Sequence, residues 1–387
     1  MGETFHGWFV KWRENRLEGR YITNDHIEPI IKYLPETFRI EIIGKSVLGR
    51  DVYSVTFGDG PLKILMWSQM HGNESTTTKA VFDLINTIIN ENDEWLKEIL
   101  VKVTIKIIPI LNPDGANAYT RVNANNVDLN RDAQDLTQPE SIMLRNEFNK
   151  FKPSICLNLH GQRTIFGAGN QGKAATVSFL APTQDHVRSI TPNRKVAMQL
   201  INEMRQSLEQ IIPSQIGVYE DSFNLNCVGD TFQHLGVPTI LFEAGHFSGD
   251  YQREYTRYLI YHSYMVLLQS VVTNSYLNDN SSKYFEIPQN EKCFFDIIVR
   301  NVSIFNNGSN EVIDVAIQYE EMLQDSDIQF IPKIAALKKL NEFHGHKELN
   351  ADSSPISKVF GKAVFEGDIV YNILLNNEDL SLSPEKN

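Results

Sequence analysis

The chain has 387 residues, of which 42% are hydrophobic and 22% charged, with a formal net charge of -12. Those values fit a folded globular protein and exclude a disordered one. The length predicts more than one domain, and the acidic balance argues against nucleic acid as a partner, because phosphate binding needs a local excess of Lys and Arg.

Residues 1–60 open with a helical segment and then turn to strand over 39–44 and 51–56, where β-branched residues cluster before a Gly or a turn. A short apolar run over 62–68 has the length of a buried strand, and 75–91 carries apolar residues at helical spacing. The alternation continues with a strand over 101–108, a helix over 139–151, strands over 154–159 and 176–181, a helix over 193–211, a strand over 237–242 and a helix over 251–273. Strands alternating with helices of this length predict an α/β fold with a mixed, mainly parallel central sheet flanked by helices. The polar stretch 277–284 lacks periodicity and is expected to be a linker. Strands expected over 295–299, 312–317 and 364–374 then make 285–387 a small β-rich domain of unknown role, behind an α/β domain over 1–276.

The three cysteines, Cys156, Cys227 and Cys293, are widely spaced and odd in number, so they support neither a disulfide framework nor a paired-cysteine metal site. No segment approaches a membrane span of about 18 apolar residues. The first residues hold no basic stretch followed by an apolar run. A cytoplasmic protein without a membrane partner is the expectation.

The chemistry concentrates at strand ends. His71-Gly72-Asn73-Glu74 follows the apolar run 62–68 and precedes a helix. An imidazole and a carboxylate converging there suit Zn²⁺, which at a catalytic site takes three protein ligands and leaves one position open. His160 ends the next apolar strand in the same way and completes a ligand set of two histidines and one glutamate. Between them lies Val127-Asp128-Leu129-Asn130-Arg131, preceded by Asn112-Pro113-Asp114-Gly115 and Arg121. Arg131 offers a fork for a carboxylate, with Asn130 beside it, and Asp128 is placed to accept the free N–H of a ligating histidine. Glu243 closes the apolar strand 237–242, where a carboxylate is costly unless it is paired or functional; next to a metal it reads as a general base. Some of the charged run His246, Asp250, Arg253, Glu254 and Arg257 could line the pocket mouth, but the favoured expectation is surface pairs at the start of the last long helix; His344-Gly345-His346 is expected to be an exposed loop.

Taken in chain order, Ser46-Val47-Leu48-Gly49-Arg50, the His71–Glu74 motif, Asn112–Gly115, Arg121, Val127–Arg131, His160-Gly161 and Phe242-Glu243 resemble the M14 family of zinc carboxypeptidases over roughly residues 35–270. The ligand set is the one known for carboxypeptidase A itself. The resemblance implies the zinc-carboxypeptidase fold and one Zn²⁺ held by His71, Glu74 and His160, with Asp128 orienting His71. It implies that Arg121 polarises the scissile carbonyl, that Asn130 and Arg131 hold the substrate's terminal carboxylate, and that Glu243 activates water and then protonates the leaving amine. Tyr219 is the nearest tyrosine by spacing to the family's mobile tyrosine but does not align with it. The family's side-chain-selecting position falls near Gly229, which supplies no charge. Deacylases of N-acyl amino acids, such as aspartoacylase and succinylglutamate desuccinylase, share this constellation, and short M14 members cleave γ-D-glutamyl bonds of peptidoglycan peptides. The Ser46–Arg50 and Pro113–Gly115 segments favour a carboxypeptidase, so the expected substrate is a peptide, with an N-acyl amino acid as the alternative.

Overall fold

The computed structural model describes residues 2–306, 309–358, 363–375 and 378–384. Helices α1 (Gly2–Trp12) and α2 (Asn24–Ile31) lead into β1 (Arg39–Lys45), β2 (Asp51–Phe57) and β3 (Leu62–Ser68). There follow α3 (Thr76–Asn90), α4 (Glu94–Lys102), β4 (Val103–Ile108), α5 (Pro113–Ala118), α6 (Pro139–Phe151) and β5 (Ile155–Gly161). Next come β6 (Phe166–Ala168), β7 (Val177–Leu180), α7 (Pro192–Leu208), β8 (Ile216–Val218), α8 (Val228–His234), β9 (Thr239–Ala244) and α9 (Glu254–Thr273). The remainder is β-structure: β10 (Asn290–Lys292), β11 (Phe294–Asn306), β12 (Ser309–Gln324), β13 (Asp327–Lys338), β14 (His344–Asn350), β15 (Ile356–Lys358), β16 (Asn372–Leu375) and β17 (Glu378–Ser381).

The central sheet has eight strands in the order β1-β2-β4-β3-β5-β9-β7-β8. The pairs β3–β4, β3–β5, β5–β9 and β7–β8 are parallel, and β1–β2, β2–β4 and β7–β9 antiparallel. The sheet is therefore mixed and mostly parallel, as expected. Alternation along β3 feeds two cores. Ile64 and Met66 face the core shared with α1, α3, α7 and α9, while Leu65 and Trp67 face the one shared with α6 and α8. Both faces are covered, which is why these strands read as continuous apolar runs.

Three elements differ from the sequence reading. Val101 and Lys102 are the last turn of α4 rather than the start of a strand. The Asp93 side chain caps that helix by accepting from Trp95 N at 2.8 Å, and buried Leu96 and Ile99 pull it onto the core. The stretch 277–284 is packed rather than a free tether. Short 3-10 turns at Ser275–Asn278 and Ser281–Glu286 lie against α7, and Tyr284 is buried there with its hydroxyl accepting from Ala181 N. The strand expected over 364–374 is a turn followed by a strand that starts only at Asn372. The C-terminal region otherwise has the expected β character, in a four-stranded sheet β13-β12-β11-β14 and a three-stranded sheet β15-β16-β17. No helix among the described residues is long and apolar enough to cross a membrane.

Candidate metal centre

The three parallel strands β3, β5 and β9 run side by side, with His160 directly opposite Glu243 in the β5–β9 register. Their carboxyl ends deliver His71, His160 and Glu243 to one crevice, the usual place for a ligand in an open α/β sheet. The turn carrying His71 is tight. A Cβ on Gly72 would lie 1.9 Å from the Gly115 carbonyl carbon, so only glycine allows the two backbones this close. Asn112 stitches the same two segments, its Oδ1 accepting from Gly115 N at 2.8 Å and its Nδ2 donating to Met70 O at 3.2 Å. Asp114 then gathers the earlier motif. Its carboxylate accepts from Ser46 Oγ and Leu48 N, each at 2.9 Å, and from Arg50 Nη1 at 2.7 Å. Motifs far apart in sequence thus form one scaffold under His71 and Glu74.

His71 Nδ1 lies 2.9 Å from Glu74 Oε1 and 3.1 Å from His160 Nδ1, and His160 Nδ1 lies 3.0 Å from Glu74 Oε2. Donors at the corners of a zinc tetrahedron with bonds of about 2.0–2.1 Å stand about 3.3 Å apart. The observed separations fall a few tenths short of that, so the donor set fits one zinc ion after a slight expansion. The other ring nitrogen of His71, Nε2, is 3.0 Å from Asp128 Oδ1, which fixes the ring with Nδ1 aimed at the cluster. Asp128 also caps the 3-10 turn Leu129–Arg131 and accepts both Nε and Nη2 of Arg121, at 3.1 and 3.0 Å. Arg121 Nη1 sits 3.2 Å from His71 Nδ1 and 3.5 Å from Glu74 Oε1, at the open edge of the cluster.

The electrostatics follow from burial and neighbours. Burial pulls His160 down. It pulls His71 the same way, but the Glu74 and Asp128 carboxylates outweigh it and raise His71. Burial would raise Glu74 and Asp128, yet the histidines, helped at Asp128 by Arg121, hold both below the usual carboxylate range. Glu243 goes the other way, pushed well up by burial and by the charge of Glu74. Its Oε2 is buried without a protein partner among the described residues.

The two residues expected to hold a carboxylate both have protein partners. Asn130 is buried and its Oδ1 accepts from Val228 N at 3.0 Å, while exposed Arg131 bonds the Asn130 carbonyl and Cys227 Sγ through Nη1. Tyr219, set aside in the sequence, follows β8 with its ring edge on Phe166. Burial raises its hydroxyl pKa, and the charges of Glu243 and Glu74 add to that. Gly229 lies within α8 next to Pro182.

A family model described as zinc carboxypeptidase, peptidase M14, matches residues 24–212. Residues 24–212, just under half of the chain, are therefore similar to the M14 zinc carboxypeptidase domain. The match contains His71, Glu74, Arg121, Asn130, Arg131 and His160 and stops before Glu243. Among curated relatives, carboxypeptidase SOL1 of Arabidopsis thaliana is 31% identical over 163 residues, covering 36% of this chain and 33% of that protein. Human carboxypeptidase D is 28% identical over 152 residues, covering 33% and 11%. The chain thus spans a third or less of the length of these two relatives. The crystal structure of a metallo-carboxypeptidase from Burkholderia cenocepacia superposes with a TM-score of 0.53 at 19% identity, over 66% of this chain and 70% of that one. That likeness is one of fold.

Outside the metal cluster the structure differs from two expectations. Arg253 and Arg257 are buried rather than forming surface pairs. Arg257 bonds Asp83 through Nε and Nη2, each at 2.6 Å, and reaches the carbonyls of Glu14 and Leu17. Arg253 donates to the carbonyls of Ala244 and Gln162, each at 3.0 Å. His344 and His346 belong to strand β14. His346 stacks on Phe294 and contacts Thr164 O through Nε2 at 2.7 Å.

Proposed function

We propose that the protein is a zinc-dependent metallocarboxypeptidase that hydrolyses the C-terminal amide bond of a peptide. The observation carrying this reading is the convergence of His71, Glu74 and His160, with all ligand atoms within 4.8 Å of one another, next to Glu243 on the neighbouring strand and the Arg121 guanidinium. When bound, zinc supplies Lewis-acid polarisation of the carbonyl and lowers the pKa of water to about 7. Arg121 donates to the carbonyl oxygen as negative charge develops on it. Asn130 and Arg131 hold the terminal carboxylate and so fix which bond is presented. Glu243 takes a proton from the attacking water and hands it to the amine nitrogen as the C–N bond breaks. Asp128 keeps the His71 ring oriented throughout.

Zinc-loaded protein incubated with a mixture of peptides, read by mass spectrometry, is expected to yield products shorter by one C-terminal residue. Cleavage of N-acetylaspartate or N-succinylglutamate with no C-terminal trimming would replace the carboxypeptidase reading by a deacylase. Selective cleavage of γ-D-glutamyl peptides would point to the peptidoglycan hydrolases.

A further inference from the structure

A cavity of about 330 Å³ opens beside the metal cluster. On one side its walls are Asn73, Glu74 and Arg121. On the other they are Gln318, Glu320 and Glu321 of β12 and Phe330 of β13. The proposed clamp, Asn130 and Arg131, takes no part in the lining. With the terminal carboxylate at the clamp and the scissile carbonyl at Arg121, the residues preceding the scissile bond must run into this cavity. The wall they meet there is the C-terminal sheet.

That wall is fastened to the residues around the site. Arg20 grips Glu321 with two N–O contacts of 3.1 Å, and the Tyr119 hydroxyl donates to the same carboxylate. Gln318 Nε2 donates to Thr164 Oγ1 at 2.8 Å, and the Tyr251 hydroxyl donates to Asp296 at 3.1 Å. Strand β10 pairs with β6, and Asn290 donates to the Gln162 side chain at 3.0 Å, two residues after His160. Opening the cavity would break several partly or fully buried polar contacts at once, each leaving a group unpaired. Ligand pockets run from about 300 to 1,000 Å³, so this one lies at the small end and has room for a residue or two.

We infer that the C-terminal sheet is a length filter, and that the substrates are short peptides rather than the tails of folded proteins. The inference rests on the carboxypeptidase reading above and names its substrate class. The filter works through β12 and β13, which stop the chain on the amino side of the scissile bond, so the binding energy of a short substrate is realised and that of a long one is not.

The test uses full-length, zinc-loaded protein and a peptide series from dipeptide to decapeptide sharing the same C-terminal residues. The kcat/KM for release of the last residue is expected to peak at two to four residues. It should fall at least about tenfold by the decapeptide, a loss of about 1.4 kcal/mol. Phe330→Ala, and separately Glu320→Ala at an exposed position of the same wall, should raise the decapeptide-to-tripeptide ratio several-fold. Equal rates at every length, or a ratio unmoved by both variants, overturn the filter while leaving a carboxypeptidase. Release from no peptide of any length overturns the filter and the carboxypeptidase reading together.

Discussion

Glu243 is a carboxylate at the end of an apolar strand, pushed up in pKa by burial and by the Glu74 carboxylate, and the role proposed for it is to accept a proton from water. Glu243→Gln keeps the shape and removes the basic oxygen. Turnover should fall by about 10²–10⁴-fold, with zinc content unchanged, checked by steady-state rates alongside metal analysis. Loss of metal in the variant would instead make Glu243 part of the zinc site. At this scale most of the candidate site was legible in the sequence, because each group sits in a short motif at a strand end. Tyr219 was set aside, and its place after β8 depends on the pairing of β8 with β7, which lies two strands away from β5. No local pattern announces such a pairing.

At the level of elements, buried charges lie between α3 and α9. The run Arg253–Arg257 has the composition of a solvated helix start, and charges at i and i+3 or i+4 usually pair on the surface. Here Arg257 and Asp83 have side chains with no solvent exposure, and they join the two helices to the loop after α1. Removing one partner leaves an uncompensated buried charge. Arg257→Ala should therefore destabilise the protein by about 3–5 kcal/mol, measured by urea unfolding, whereas replacing Arg257 and Asp83 together by apolar residues should recover much of that loss. The strands and long helices could be read from periodicity because both faces of the sheet are covered. Helix α4 escaped because its last turn, Val101–Lys102, joins directly onto the alternating strand that follows.

For the whole molecule, the decisive contact is between the C-terminal sheet and the α/β region, made by residues from 45 to 301 positions apart. Sequence could mark 285–387 as β-rich but could not say where it would dock. The junction holds two histidines, His246 and His346, with ring centroids 4.4 Å apart. Burial pulls His346 down to about 4 and His246 well below its ordinary value. Both fold as neutral rings and charge more readily when unfolded. Their stabilising contribution is complete above the unfolded value of about 6.5 and is lost as pH falls through the folded value near 4, at most about 3 kcal/mol for His346. Denaturation midpoints should therefore drop between pH 6.5 and pH 4, and less so in His246→Phe. An identical drop in that variant would place the acid sensitivity elsewhere.

The proposed activity requires His71, Glu74 and His160 to act together as one metal centre. The most direct measurement is a zinc titration of metal-stripped protein with C-terminal peptide cleavage followed at each addition. Activity should rise linearly and saturate at one zinc per chain in the native protein and stay at background in His160→Ala. Full activity in the stripped protein, or saturation in the variant at the same stoichiometry and rate, would contradict it.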